Sequence, residues 1–145
     1  MQMRRRNLVA LLALGVLIAS CGGQTSRLVT VRAGSGSGPI LFEVKNSTGG
    51  PVNSVFMAKH DQVKKSLRHD SSGSETEGEQ VWGGDLIHKA IPVGVRVPVP
   101  VGGPGSWDVK AVDADGRYQH IAAVKLDGGG KYILELHDGN WRGAP

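Results

Sequence analysis

From Pro39 to Leu136, apolar side chains recur at every second position in short runs, and turn residues interrupt these runs about every ten residues. An extended backbone sends successive side chains to opposite faces, so each run reads as a strand with one apolar face. Ile40, Phe42 and Val44 alternate with Leu41, Glu43 and Lys45. Val93, Val95, Val97, Val99 and Val101 form the longest such stripe, and Trp107, Val109 and Ala111 form another. Tyr118, His120, Ala122, Val124 and Leu126 share a face, as do Tyr132, Leu134 and Leu136. In Val52 to Lys59 either Val55 with Met57 or Phe56 with Ala58 can face inward. The pattern predicts an all-β fold: an antiparallel β-sandwich of six to seven strands, immunoglobulin-like, with every pairing antiparallel because the connections are short. A helical bundle is excluded.

The turns carry their own chemistry. Asn46-Ser47-Thr48-Gly49-Gly50-Pro51 offers side-chain caps and conformational freedom, and Asp113-Ala114-Asp115-Gly116 suits a tight hairpin. Asp127-Gly128-Gly129-Gly130 makes a third turn. Pro98 and Pro100 interrupt the valine stripe on its polar side, which places that strand at a sheet edge, since proline donates no ladder hydrogen bond. Three Trp, two Tyr and two Phe are the only aromatics, so the core rests on Val, Leu, Ile and Ala. Asp61 to Gln80 is a long polar stretch, with one or two helical turns expected over Gln62 to Arg68. Trp82 to Ile87 returns the chain to the core, with a helical turn expected around Asp85 to His88. Glu75, Glu77, Glu79 and Asp85 read as solvated charge.

The N-terminal segment is of a different kind. Arg4, Arg5 and Arg6 precede an apolar run from Leu8 to Ala19, roughly a dozen residues and too short to cross a bilayer as a helix. Leu17-Ile18-Ala19-Ser20-Cys21 closes it and holds the only cysteine. This segment resembles the lipobox signal of bacterial lipoproteins. The resemblance implies cleavage before Cys21, diacylation of its thiol, acylation of the new amino group by a palmitate-like chain, and attachment to a membrane of the cell envelope. Gly22 in place of aspartate implies, in a Gram-negative host, the periplasmic leaflet of the outer membrane. Loss of the three arginines with the signal takes the formal charge from +4 to +1, so no nucleic-acid partner is expected. The expected organisation is a signal peptide over 1–20, a lipid-anchored flexible tether with a short edge strand over 21–38, a sandwich over 39–138 and a tail over 139–145.

Phe42-Glu43-Val44-Lys45-Asn46-Ser47-Thr48-Gly49, Trp82-Gly83-Gly84-Asp85-Leu86, Trp107 to Gly116 and Val124-Lys125-Leu126 stand in that order. With them the stretch from Ile40 to Leu136 resembles a β-sandwich domain of bacterial exported proteins and lipoproteins. Pro92-Val93-Gly94 stands where that domain has a tight proline-glycine turn, and the polar loop is longer. The resemblance implies fold and export, and no activity.

Candidate chemistry is sparse. Five histidines occur, three of them beside aspartates (His60-Asp61, His69-Asp70, His137-Asp138), with His88 and His120 apart. None has zincin or paired-cysteine spacing, and neighbours on a strand point oppositely, so no metal or cofactor is expected. Half-burial with a hydrogen bond accounts for His120. Asp113-Ala114-Asp115-Gly116 lacks the later oxygen ligands of a calcium loop. No GxSxG elbow is present, and Gly128-Gly129-Gly130 opens no helix. Trp107 belongs to the core by parity and Trp82 plugs a sheet edge. Trp82, Trp141 and Asp85 remain as candidate contacts for an envelope protein or glycan, with Trp141 the most exposed. The expected function is a non-enzymatic, lipid-anchored structural or interaction module. The alternative is a small periplasmic metal-binding or hydrolytic protein using its histidines.

Overall fold

The computed structural model describes residues 23–68 and 81–143. Seven strands occur in it: β1 (Arg27–Arg32), β2 (Leu41–Asn46), β3 (Val52–Lys59), β4 (Arg96–Pro98), β5 (Gly105–Asp113), β6 (Tyr118–Leu126) and β7 (Lys131–Leu136). One helix, α1 (His60–Arg68), follows β3. A four-stranded sheet in the order β1-β7-β2-β4 faces a three-stranded sheet in the order β3-β5-β6. The expected all-β, two-sheet architecture is present. One pairing differs: β2 runs parallel to β7, from Leu41 opposite Lys131 to Asn46 opposite Leu136. Short connections fix the direction only of strands that are neighbours in sequence, and these two are joined through the whole opposite sheet.

The inner faces meet in a core of Phe42, Val44, Val52, Val55, Met57, Val109, Ala111, Val124, Leu126, Tyr132, Leu134 and Leu136. Both parities of β3 are covered, because Ala58 lies with Val63 of α1 and Trp82 in a second cluster on the outer face of the three-stranded sheet, with Phe56 packed against it. The alternation alone therefore could not choose between them.

The valine stripe is half core. Val97 and Val101 pack on the core and Val99 is buried, whereas Val93 and Val95 are 55% and 41% exposed. Their alternation ends in a turn: the Val95 amide donates to the Pro92 carbonyl at 3.1 Å, and Gly94 takes φ +80°. β6 also departs from strict alternation. Between Trp107 and Val109 of β5 its register shifts, with Ala123 at φ +56° in the bulge. Gln119 therefore faces inward, fully buried, before the bulge, and Val124 and Leu126 do so after it, while His120 lies on the outer side. No helical turn forms over Asp85 to His88.

The segment expected as a flexible tether with a short edge strand has that strand, β1, and is held along the rest of its described length as well. β1 pairs with β7, and the Gly36 amide and the Gly38 carbonyl bond to the turn at Gly128 and Gly129. Gly34 lies so close that a Cβ would stand 2.6 Å from the Gly128 carbonyl oxygen. Absence of side chains here permits backbone-to-backbone packing.

Each of the four sheet edges is blunted. β1 carries a register shift between Thr30 and Arg32, and β4 ends at Pro98. The outer side of β3 is met by Leu86 and Ile91. β6 has its bulge and a bridge from Tyr118 to Arg142.

Candidate functional site

Asp108 looks from the sequence like an outward polar residue of β5, yet it is 1% exposed. His60, which opens α1, and His120 of β6 both meet it. His60 Nδ1 donates to Asp108 Oδ1 at 2.6 Å and His120 Nε2 donates to Oδ2 at 2.7 Å. The Ala123 amide, turned by the bulge, donates to Oδ1 at 2.9 Å. Burial pushes this carboxyl up, but the Ala123 amide, His120 and His60 outweigh it and hold it below the ordinary aspartate value. An ionised carboxylate only accepts, so the protons sit on His60 Nδ1 and His120 Nε2. The cluster clamps α1 to the sheet: His60 ties the helix start, Asp108 the middle strand and His120 the last. The His120 reading, half-buried and hydrogen-bonded, matches this geometry.

Trp82 stands edge-on to His120, ring centres 5.2 Å apart. It lies over the outer face of the three-stranded sheet, not at its edge, and is almost fully buried. Beside it opens a cleft of about 370 Å³ lined by Phe56, Trp82, Gly83, Lys110 and Val112. The Lys110 ammonium lies 5.8 Å from the Trp82 ring centre and 5.1 Å from that of Tyr118. Such a cleft, with aromatic walls, suits a planar group on a partner.

The other two candidates lie elsewhere. Asp85 serves the fold: its Oδ1 accepts from the Val55 amide at 3.0 Å and the Ile87 amide at 3.1 Å, pinning the return segment to β3. Trp141 lies at one end of the sandwich, half-buried. Its Nε1 donates to Asp138 Oδ1 at 3.1 Å, and Arg117 approaches its ring at 5.7 Å. With Thr48, Asp115 and Asp138 it lines a polar hollow of about 320 Å³. The structure thus brings Trp82 to the histidine clamp, which the sequence reading did not single out, and keeps Trp141 apart. A hint was available, since both faces of β3 are apolar and an outer layer must cover the second.

Cys21, Glu75, Glu77, Glu79 and the pair His69-Asp70 lie outside the described residues. Among the described residues, no three His, Cys, Asp or Glu side chains are placed to hold a metal ion, and no helix is long and apolar enough to cross a membrane. Comparisons with known protein families, with curated proteins and with solved structures find no match to this chain.

Proposed function

We propose that this protein is a lipid-anchored module of the cell envelope, non-enzymatic, that engages a partner through the outer face of its three-stranded sheet. The observation that carries this reading is Cys21 itself, the only cysteine, placed directly after the small residues that close an apolar run headed by three arginines. Its acyl chains hold the domain at the membrane; two or more suffice for stable attachment, at about 0.8 kcal/mol per buried methylene. The apolar cleft beside Trp82 and Phe56 supports a binding role, and the Asp108 clamp supports a structural role for the histidines that a hydrolytic or metal-binding protein would use. We also propose that the sandwich is immunoglobulin-like, a class whose constant-type domains likewise divide seven strands four and three.

Growth of the producing bacterium with labelled palmitate tests the anchor. The wild-type chain is expected to carry label and to fractionate with membranes, and Cys21→Ala to lose both. Label that persists in Cys21→Ala overturns the reading.

A further inference from the structure

The strand directions bring a specific set of loops to one end of the sandwich. β1, β3, β4 and β6 begin there, and β2, β5 and β7 end there. This end holds the entry of the chain at Gly23, the turns at Thr48 and Asp115, Trp141, and the turn at Val93 and Val95. Two of the four large apolar side chains exposed among the described residues, Val93 and Val95, are therefore here. So is the hollow beneath Trp141.

The chain does not leave this end on a loose lead. The Gly139 amide donates to the Gln24 carbonyl at 2.9 Å, and a Cβ on Gly23 would stand 3.0 Å from the Gly139 nitrogen. Ser26 Oγ bonds to Gln119 Oε1 and accepts from the His137 amide at 2.9 Å. Two peptide units separate Cys21 from Gly23, a reach of at most about 7 Å. The headgroup layer on each side of a bilayer is itself about 5–8 Å deep. A diacylated Cys21 therefore brings this end into contact with the headgroups.

We infer that the end bearing Trp141, Val93 and Val95 docks on the phospholipid surface, so that the domain stands upright. This rests on the lipid-anchor reading above. Val93 and Val95 lie on the opposite edge of the four-stranded sheet from the chain entry, about 14 Å across three strand spacings, so the contact spans the end and resists tilting. Trp141 supplies an indole of the kind that settles at membrane interfaces. The charged side chains of this end carry both signs, Asp113, Asp115 and Asp138 beside Arg27, Arg117 and Arg142, so a zwitterionic lipid is the surface to test first. The start of β5 at Gly105 then stands about 25 Å from the membrane.

With Cys21 acylated the chain offers no other thiol, so single cysteines can be labelled cleanly. The test uses full-length lipidated protein in phosphatidylcholine nanodiscs, with a nitroxide at Val93→Cys or at Lys125→Cys, an exposed position at the far end. Contact with the bilayer is read from relaxation by headgroup-chelated gadolinium. The Val93 label is expected at the headgroups and the Lys125 label about 20 Å farther out. Inserting twenty Gly/Ser residues between Gly22 and Gly23 is expected to keep membrane binding and weaken this difference. Equal distances for the two labels without the insertion overturn the docking. Failure of the protein to enter nanodiscs at all, matched by Cys21→Ala, would instead remove the anchor on which the docking rests.

Discussion

Asp108 shows how much one side chain organises here. A carboxylate this buried persists only where donors surround it, and it has three: His60, His120 and the Ala123 amide. Its folded-state value lies below the ordinary one of 3.8, so the stabilisation it gives is fully present above that value and lost as pH falls through the folded one. Urea titrations from pH 5 to pH 2 should show wild-type stability falling through this range. In Asp108→Asn, which lacks the charge, the fall should be shallower and stability at pH 6 lower. An unchanged acid limb would deny Asp108 this role. Asp108 was not legible in the sequence, because in an alternating strand it occupies the place of an ordinary solvent-facing residue. The turn at Asn46 was legible: Asn46, fully buried, donates to the Gly50 and Ile91 carbonyls at 2.8 Å and accepts from the Thr48 amide at 3.0 Å.

At the scale of elements, local rules held where local chemistry decides. The Asp113 hairpin closes as its residues suggest, with Gly116 at φ +81° and Asp113 Oδ1 accepting from the Asp115 and Arg117 amides at 2.9 and 2.8 Å. The β6 bulge was not visible, because Tyr118, His120 and Ala122 continue the same spacing as Val124 and Leu126; the parity changes only in the folded register. β1 was legible as an extended segment but not as a full partner of β7, since AGSGSG after it reads as flexible until its close backbone contacts are seen. The lead into β1, at the other end of that strand, is held by a contact of the same kind, made possible by the missing side chain of Gly139. In Gly139→Ala the new methyl would stand 2.6 Å from the Gln24 carbonyl oxygen and nearer still to that of Gly23. The lead into β1 should be displaced, with a loss of about 2 kcal/mol in urea unfolding and faster proteolysis before Arg27. Wild-type stability in this variant would mean that the contact is not made.

For the whole molecule, the two-sheet architecture could be read from periodicity, while the meeting of β7 with both β1 and β2 could not, because it joins distant parts of the chain. Arg27 bonds Glu135 across 108 positions, and β2 must wait for β7 to form its parallel pair. Contacts so far apart in sequence make folding slow, so refolding of the domain in stopped-flow fluorescence should take milliseconds to seconds. Microsecond refolding would contradict this topology. Under the lipid anchor proposed above, the four blunted edges bear on life at high surface density. Proteins fixed by lipid share a plane, where neighbours collide side by side far more often than in bulk fluid. A sandwich with one bare flank would template its neighbours there and stiffen into ribbons. With every edge blunted, a sandwich anchored as proposed would crowd a leaflet and still diffuse as separate particles.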